Sequence, residues 1–226
     1  MTPDILEQIV ESRGLRKAVA LVTELESGRQ RVVAREHAAD DTLAKVLDGA
    51  FRTGESGVHD LPEGEFFIHV YNPRLRIVII GAVHISQALI PIAKAAGYDI
   101  VVIDPRGAFA TAERFPDIKL HTEWPDEVIA KIGLDAQTAL LALTHDPKID
   151  DPALAAALKS KAFYVGALGS KRTQSKRFER LMAAGFDDAQ IARIRGPIGL
   201  DIGAKGPVEI AVAIMAEITR VLRLGN

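Results

Sequence analysis

Four short segments of this sequence set small or ionisable residues directly after an apolar run, the place where loops leave a sheet. GAVHIS (Gly81–Ser86) follows RIVII, Asp104-Pro105-Arg106 follows YDIVVI, Thr144-His145-Asp146 follows TALLAL, and GALGS (Gly166–Ser170) follows AFYV. Gly81 permits a tight turn, and Ser86 is small enough for a following helix to pack closely. Val83 stands where the dinucleotide fingerprint G-x-G-x-x-G has its second glycine. Its branched side chain obstructs a pyrophosphate, so NAD(P) is the less favoured ligand. A turn that keeps the fold and binds no nucleotide remains an alternative.

Asp104 lies 23 positions after Gly81, near the roughly 20 expected of an acid on a ribose diol. Arg106 can neutralise it or pair with a phosphate. His145 and Asp146 are the candidates for acid–base work, because an imidazole changes charge near neutral pH. An ordinary hydrogen-bonded histidine at a strand end is the other reading, and Thr144 belongs to the same loop. His84 sits at a helix start, where the dipole favours a neutral ring able to donate one hydrogen bond. Gly166, Gly169 and Ser170 lead into a helix whose free N–H groups suit an anion, and Lys171 adds charge there. Asp201 lies in PIGLDIGAKG (Pro197–Gly206), which either folds over a ligand or merely redirects the chain. His37, His59, His69 and His121 show no metal-ligand spacing, and no metal site is expected.

These segments need strands and helices to hold them. From about Arg76 onward, apolar runs alternate with amphipathic stretches: strands at 76–80, 98–104, 118–122, 138–144 and 162–167, with helices to Ala96, from Asp151-Pro152, over Ser170–Ala184, over Asp187–Arg195 and from Pro207. Continuous apolar strands separated by helices indicate a parallel sheet covered on both faces. Right-handed crossovers then give strand order 3-2-1-4-5. The fold class is therefore α/β, a Rossmann-type doubly wound parallel sheet. It is preceded by a small α+β domain, residues 1–72, and itself spans 73–226. In the first part, Thr2-Pro3 starts a helix that Gly14 stops. Residues 17–23 and 30–35 form a hairpin, Asp40 or Asp41 caps a helix running to Phe51, and Phe66–Tyr71 is a strand.

The composition is that of a globular protein: 226 residues, net charge -2, 48% hydrophobic and 26% charged. Interspersed charge of both signs argues against nucleic acid as a partner. No run approaches the ~18 apolar residues of a membrane span, and the acidic start TPDILEQIVESRG is unlike a signal peptide. With no cysteine, the expected location is the cytoplasm.

Several long strings match a known family in order. GAVHISQAL (Gly81–Leu89), DPRGAFATAERFP (Asp104–Pro116), THDPKIDDPAL (Thr144–Leu154), FYVGALGSKRT (Phe163–Thr173) and PIGLDIGAKGPVEIAVAI (Pro197–Ile214) closely resemble the XdhC/CoxI family. These are accessory proteins of molybdenum hydroxylases such as xanthine dehydrogenase and carbon monoxide dehydrogenase. The resemblance implies binding of the molybdenum cofactor, as molybdopterin or its cytosine dinucleotide form. It also implies help with sulfuration of the cofactor and its insertion into a molybdenum hydroxylase apo-enzyme, and a homodimer. A chain without cysteine cannot carry a persulfide, so the sulfur must come from a partner such as a cysteine desulfurase. Two departures stand out. Residues 1–72 lack the family's G-S-x-P-R-x-x-G motif, Glu26-Ser27-Gly28-Arg29 being the nearest fragment, so this N-terminal domain is shortened and atypical. Val83 replaces the second glycine of the family's G-A-G-H turn, whose histidine is His84. The other readings are an NAD(P)-dependent oxidoreductase, which bound pyridine nucleotide would favour, and a non-catalytic regulatory or scaffolding member.

Overall fold

A computed structural model describes residues 1–225. The chain divides into two compact units, Met1–Pro73 and from Arg74 onward. In the first, α1 (Pro3–Gly14) precedes β1 (Val19–Glu24), β2 (Gln30–Ala34), a 3-10 turn (Arg35–Asp40), α2 (Ala44–Thr53), β3 (Gly57–Leu61) and β4 (Gly64–Tyr71). The strands form an antiparallel sheet ordered β2-β1-β4-β3. Alternation along β1 and β4 turns Ala20, Val22 and Ile68 toward Leu47 and Phe51 of α2, all fully buried. Two details differ from expectation. The helix begins later than Asp40 or Asp41 would cap it, because Asp41 is held outside it: its carboxylate pairs with Arg31 at 2.7 Å and accepts the Leu43 N–H at 2.9 Å. Strand β3 was not expected. Its mixed composition, GVHDL, carries no apolar run, and it exists by pairing with β4 around the Pro62-Glu63 turn.

The second unit follows the alternating pattern: β5 (Arg76–Ile80), α3 (His84–Ala95), β6 (Asp99–Ile103), β7 (Lys119–His121), α4 (Pro125–Ile132), β8 (Thr138–Ala142), α5 (Pro147–Leu158), β9 (Tyr164–Ala167), α6 (Lys171–Ala183), α7 (Asp188–Ile191), β10 (Ile194–Arg195) and α8 (Pro207–Leu224). The sheet is ordered β10-β9-β8-β5-β6-β7 and every pair in it is parallel. In order of appearance that is 3-2-1-4-5-6, the expected topology with one more strand. Residues 194–195 read as the end of a helix from sequence. The helix in fact stops at Ile191 behind its Asp187–Gln190 capping box, and the next residues pair with β9. Helix α5 also starts earlier than Asp151-Pro152, at Pro147 with Asp146 as its cap, which leaves Pro152 inside it.

Each central strand is buried on both faces, as a parallel sheet requires. Ile77, Ile79 and Ala139 pack under α3 and α8; Val78, Ile80 and Leu140 pack under α4, α5 and α6. Gly166 shows how tight this is. A Cβ there would lie 2.5 Å from Ile198 Cδ1 and 2.7 Å from the Tyr164 ring. Both neighbours are buried, so overpacking has nowhere to go. Gly166→Ala is therefore expected to lower stability by about 1–3 kcal/mol in urea denaturation. Full stability with weakened ligand binding would instead return Gly166 to the crevice.

Candidate functional site

β5 and β8 are neighbours in the sheet, and the helices that follow them cross to opposite faces. A crevice therefore opens beyond their carboxyl ends. On the β5 side, Gly81 has φ +115, and a Cβ there would lie 2.9 Å from Thr144 Cγ2 and 3.3 Å from the Thr144 nitrogen. Only glycine lets β5 turn so close to the end of β8. Ser86 Oγ donates to the Gly81 carbonyl at 2.6 Å, locking the turn onto α3. The Ala82 N–H donates to Asp104 Oδ2 at 2.8 Å. The same carboxylate accepts from the Arg106 backbone at 3.0 Å and from its guanidinium at 2.9 and 2.8 Å. It has no exposed surface. Burial alone would push this carboxyl up, but Arg106 and the two backbone N–H groups outweigh that and hold it below the ordinary carboxylate range. Val83 is extended, packs part of its side chain against the apolar cluster, and gives α3 no side-chain cap.

The β8 side is built around a second buried carboxylate. Thr144 donates its hydroxyl to Asp150 Oδ1 at 2.7 Å, and its N–H reaches the same oxygen at 3.3 Å. Asp146 caps α5 by accepting the Lys148 N–H at 2.9 Å. Between them His145 adopts φ +65, a left-handed conformation uncommon outside glycine, and its ring is exposed. Asp150, also without exposed surface, faces Arg177 Nη2 at 3.4 Å, and burial pushes its carboxyl up. Arg177 is itself only 2% exposed. It donates to Gln174 Oε1 at 2.6 Å and to the Leu168 carbonyl at 3.2 Å, while its buried Nε has no hydrogen-bond partner. Gln174 in turn donates to the Ala167 carbonyl at 3.0 Å. Arg180 grips Asp151 through contacts of 2.5 and 3.1 Å. Between the His145–Pro147 turn and α6 lies a cleft of about 210 Å³, walled by Arg172, Lys176, Arg177 and Arg180. Ser170 caps α6 through the Thr173 N–H at 3.3 Å, and the helix has no acidic residue in its first turn.

Residues 77–218 match the family model described as the XdhC Rossmann domain. The chain belongs to the XdhC family. Among curated relatives, the molybdenum cofactor insertion chaperone PaoD of Escherichia coli K12 is 31% identical over 151 residues, covering 67% of this chain and 41% of PaoD. A Bacillus subtilis protein, named as a probable xanthine dehydrogenase subunit, is 30% identical over 153 residues, covering 67% of this chain and 44% of the relative. The uncharacterized protein YqeB of E. coli K12 is 29% identical over 237 residues, covering 97% of this chain and 43% of YqeB. The chain thus spans less than half the length of these relatives. A crystal structure of a xanthine dehydrogenase from Bacillus halodurans superposes with a TM-score of 0.66 at 24% identity, covering 97% of this chain and 66% of that one. The YqeB and Bacillus halodurans matches run through the first unit too, so that unit has counterparts despite lacking the expected motif.

In this XdhC-family domain several expected ligand contacts are already committed inside the protein. Asp104 is sealed by Arg106 and Ala82, with no oxygen left for a ribose, because the β5 turn uses it as its own acceptor. Ser86 and Thr144 are buried and internally bonded. Asp146 and Ser170 are helix caps. Gly166 is packed in the core and Gly81 shapes the turn. Asp201 is exposed in the loop before α8 and does not line the cleft. His84, Lys171 and His145 are exposed; Arg106 lies part-exposed with its guanidinium 4.8 Å from the Phe109 ring centre; Gly169 precedes the α6 cap. Asp150, Gln174, Arg177, Lys176 and Arg180 were not anticipated. The available signal was the four-residue spacing of Arg172, Lys176 and Arg180, which puts three cations on one helix face.

Asp104→Asn keeps the shape and removes the charge, and should cost about 1–3 kcal/mol at neutral pH. Because the folded carboxyl titrates below its unfolded value, its contribution is complete above about pH 5 and fades as pH falls through the depressed folded pKa. Urea denaturation from pH 7 to 3 should show the wild-type advantage shrinking on the acid side. An advantage independent of pH would contradict the paired charge.

Proposed function

We propose that this protein binds the molybdenum cofactor at the carboxyl edge of its six-stranded sheet and passes it to the apo form of a molybdenum hydroxylase of the xanthine dehydrogenase or carbon monoxide dehydrogenase type. The observation that carries the reading is the XdhC match over residues 77–218, the span that holds every part of the crevice. The name of PaoD, a molybdenum cofactor insertion chaperone, supports the same direction. The donor set suits the polar periphery of such a cofactor, which carries a phosphate in both its molybdopterin and cytosine dinucleotide forms. The α3 and α6 N-termini offer N–H groups, and Arg172 and Lys176 offer charge. When bound, the cofactor would supply the molybdenum centre; the chain's own work is holding and releasing it.

Within that work, His145 stands exposed at the mouth of the cleft and can hydrogen-bond a ligand with either ring nitrogen. Asp146 serves by capping α5, which fixes the turn that presents His145. Both roles suit binding and release, the task of a maturation factor. Asp104, turned inward, weighs against the ribose contact that a pyridine-nucleotide enzyme would use. With no cysteine in the chain, sulfuration of the held cofactor falls to a cysteine desulfurase that docks on it. The working form is a cytoplasmic homodimer.

Protein purified from cells that make the cofactor should release pterin and molybdenum in near-equal amounts, and protein from cells blocked in pterin synthesis should release neither. Absence of both from the first preparation would overturn the reading. Sulfuration of the bound cofactor should also stop when the desulfurase is kept behind a dialysis membrane; equal progress across the membrane would remove the docking partner.

A further inference from the structure

The charges of the α6 cleft do not cancel. Arg177 and Arg180 are matched by Asp150 and Asp151, through ion pairs of 3.4 Å and 2.5 Å. Arg172 and Lys176, exposed on the same helix face, make no ion pair with any carboxylate among the described residues. A second observation points the same way. Arg177 is buried in the cleft wall, and its Nε is left without a hydrogen-bond partner, 3.9 Å from the nearest Asp151 oxygen. An orphaned N–H of a buried cation is costly unless something completes it. Around it stand an α6 N-terminus free of acidic residues and the exposed His145 ring.

The geometry points to a phosphate subsite in this cleft: we propose that it takes the phosphate of the bound pterin, with Arg172 and Lys176 as its counter-charges. Two uncompensated cations match a dianion, and a cleft of about 210 Å³ has room for a phosphate. The β5 turn, where a Rossmann domain usually holds its phosphates, has given its Ala82 N–H to Asp104. The ligand would accordingly lie with its anionic end toward β8 and β9. The assignment to pterin rests on the proposed function; the anion site itself does not.

Inorganic pyrophosphate titrated calorimetrically into the full chain at low ionic strength is the first probe. Arg172→Ala/Lys176→Ala should weaken it about tenfold or more, whereas Lys45→Ala/Lys131→Ala, the same charge change elsewhere, should weaken it less than about twofold. No binding by the wild type, or equal weakening by both pairs, overturns the site. The second readout is fluorescent pterin released from each variant after purification from cofactor-making cells. The Arg172/Lys176 variant should retain much less than wild type, and full retention overturns the pterin assignment. Hosts making molybdopterin alone or also its cytosine dinucleotide form separate a terminal phosphate from a bridging one. A wild type that binds pyrophosphate in the cleft but never carries pterin would sink the proposed function and leave the anion site standing.

Discussion

The Arg177 guanidinium sits under the crevice, shielded from water, and touches the parts that have to meet there. It faces Asp150 of α5, donates to the Leu168 carbonyl just past β9, and bonds Gln174 one turn earlier on its own helix. Asp150 in turn holds the Thr144 hydroxyl at the end of β8. One buried pair therefore sets the spacing of two strand ends and two helices. Such pairs gain little net stability, because desolvating both charges offsets most of their attraction. What they contribute is position: removing either partner strands the other in a medium that cannot solvate it. Burial works against both charges, pushing Asp150 up and pulling Arg177 down, and their mutual attraction opposes each shift.

Asp104, equally buried, does the corresponding task on the β5 side with a more accessible partner. Its partner Arg106 keeps a third of its side chain in water and stacks on Phe109. The pair closes the first turn from within, leaving α3 with an uncapped start but no inward acceptor. The two buried carboxylates thus divide the crevice. One side has used its polar groups to hold its own shape, while the other keeps unmatched positive charge facing outward.

Much of the second unit could be read from sequence because a doubly covered parallel sheet writes itself as repeated apolar runs. RIVII and TALLA are buried end to end, DIVVI is buried after its exposed Asp99, and right-handed crossovers leave few ways to order them. What escaped notice lacked such a run. Ile194–Arg195 is two residues long, β3 is half-polar, and α4 fills a connection with eight residues. The strand ends meet at one crevice for the same topological reason, but a strand-end side chain does not show in sequence which way it faces. A carboxylate at a strand end looks alike in sequence whether it faces a ribose or its own backbone; Asp104 does the latter because Arg106 lies two residues on and Ala82 across the turn. Sequence alone does not set Arg177 apart from the other cations of its helix, since nothing in it says which turn meets the sheet.

The proposed anion site lies between the His145 turn and the start of α6. Amide hydrogen exchange, followed residue by residue with and without bound molybdopterin, tests this directly. Bound ligand should slow exchange at Leu168–Thr173 and at His145, Asp146 and Lys148. Protection confined to Ala82–Ile85, with the α6 start unchanged, would place the anion at the β5 turn and contradict the account.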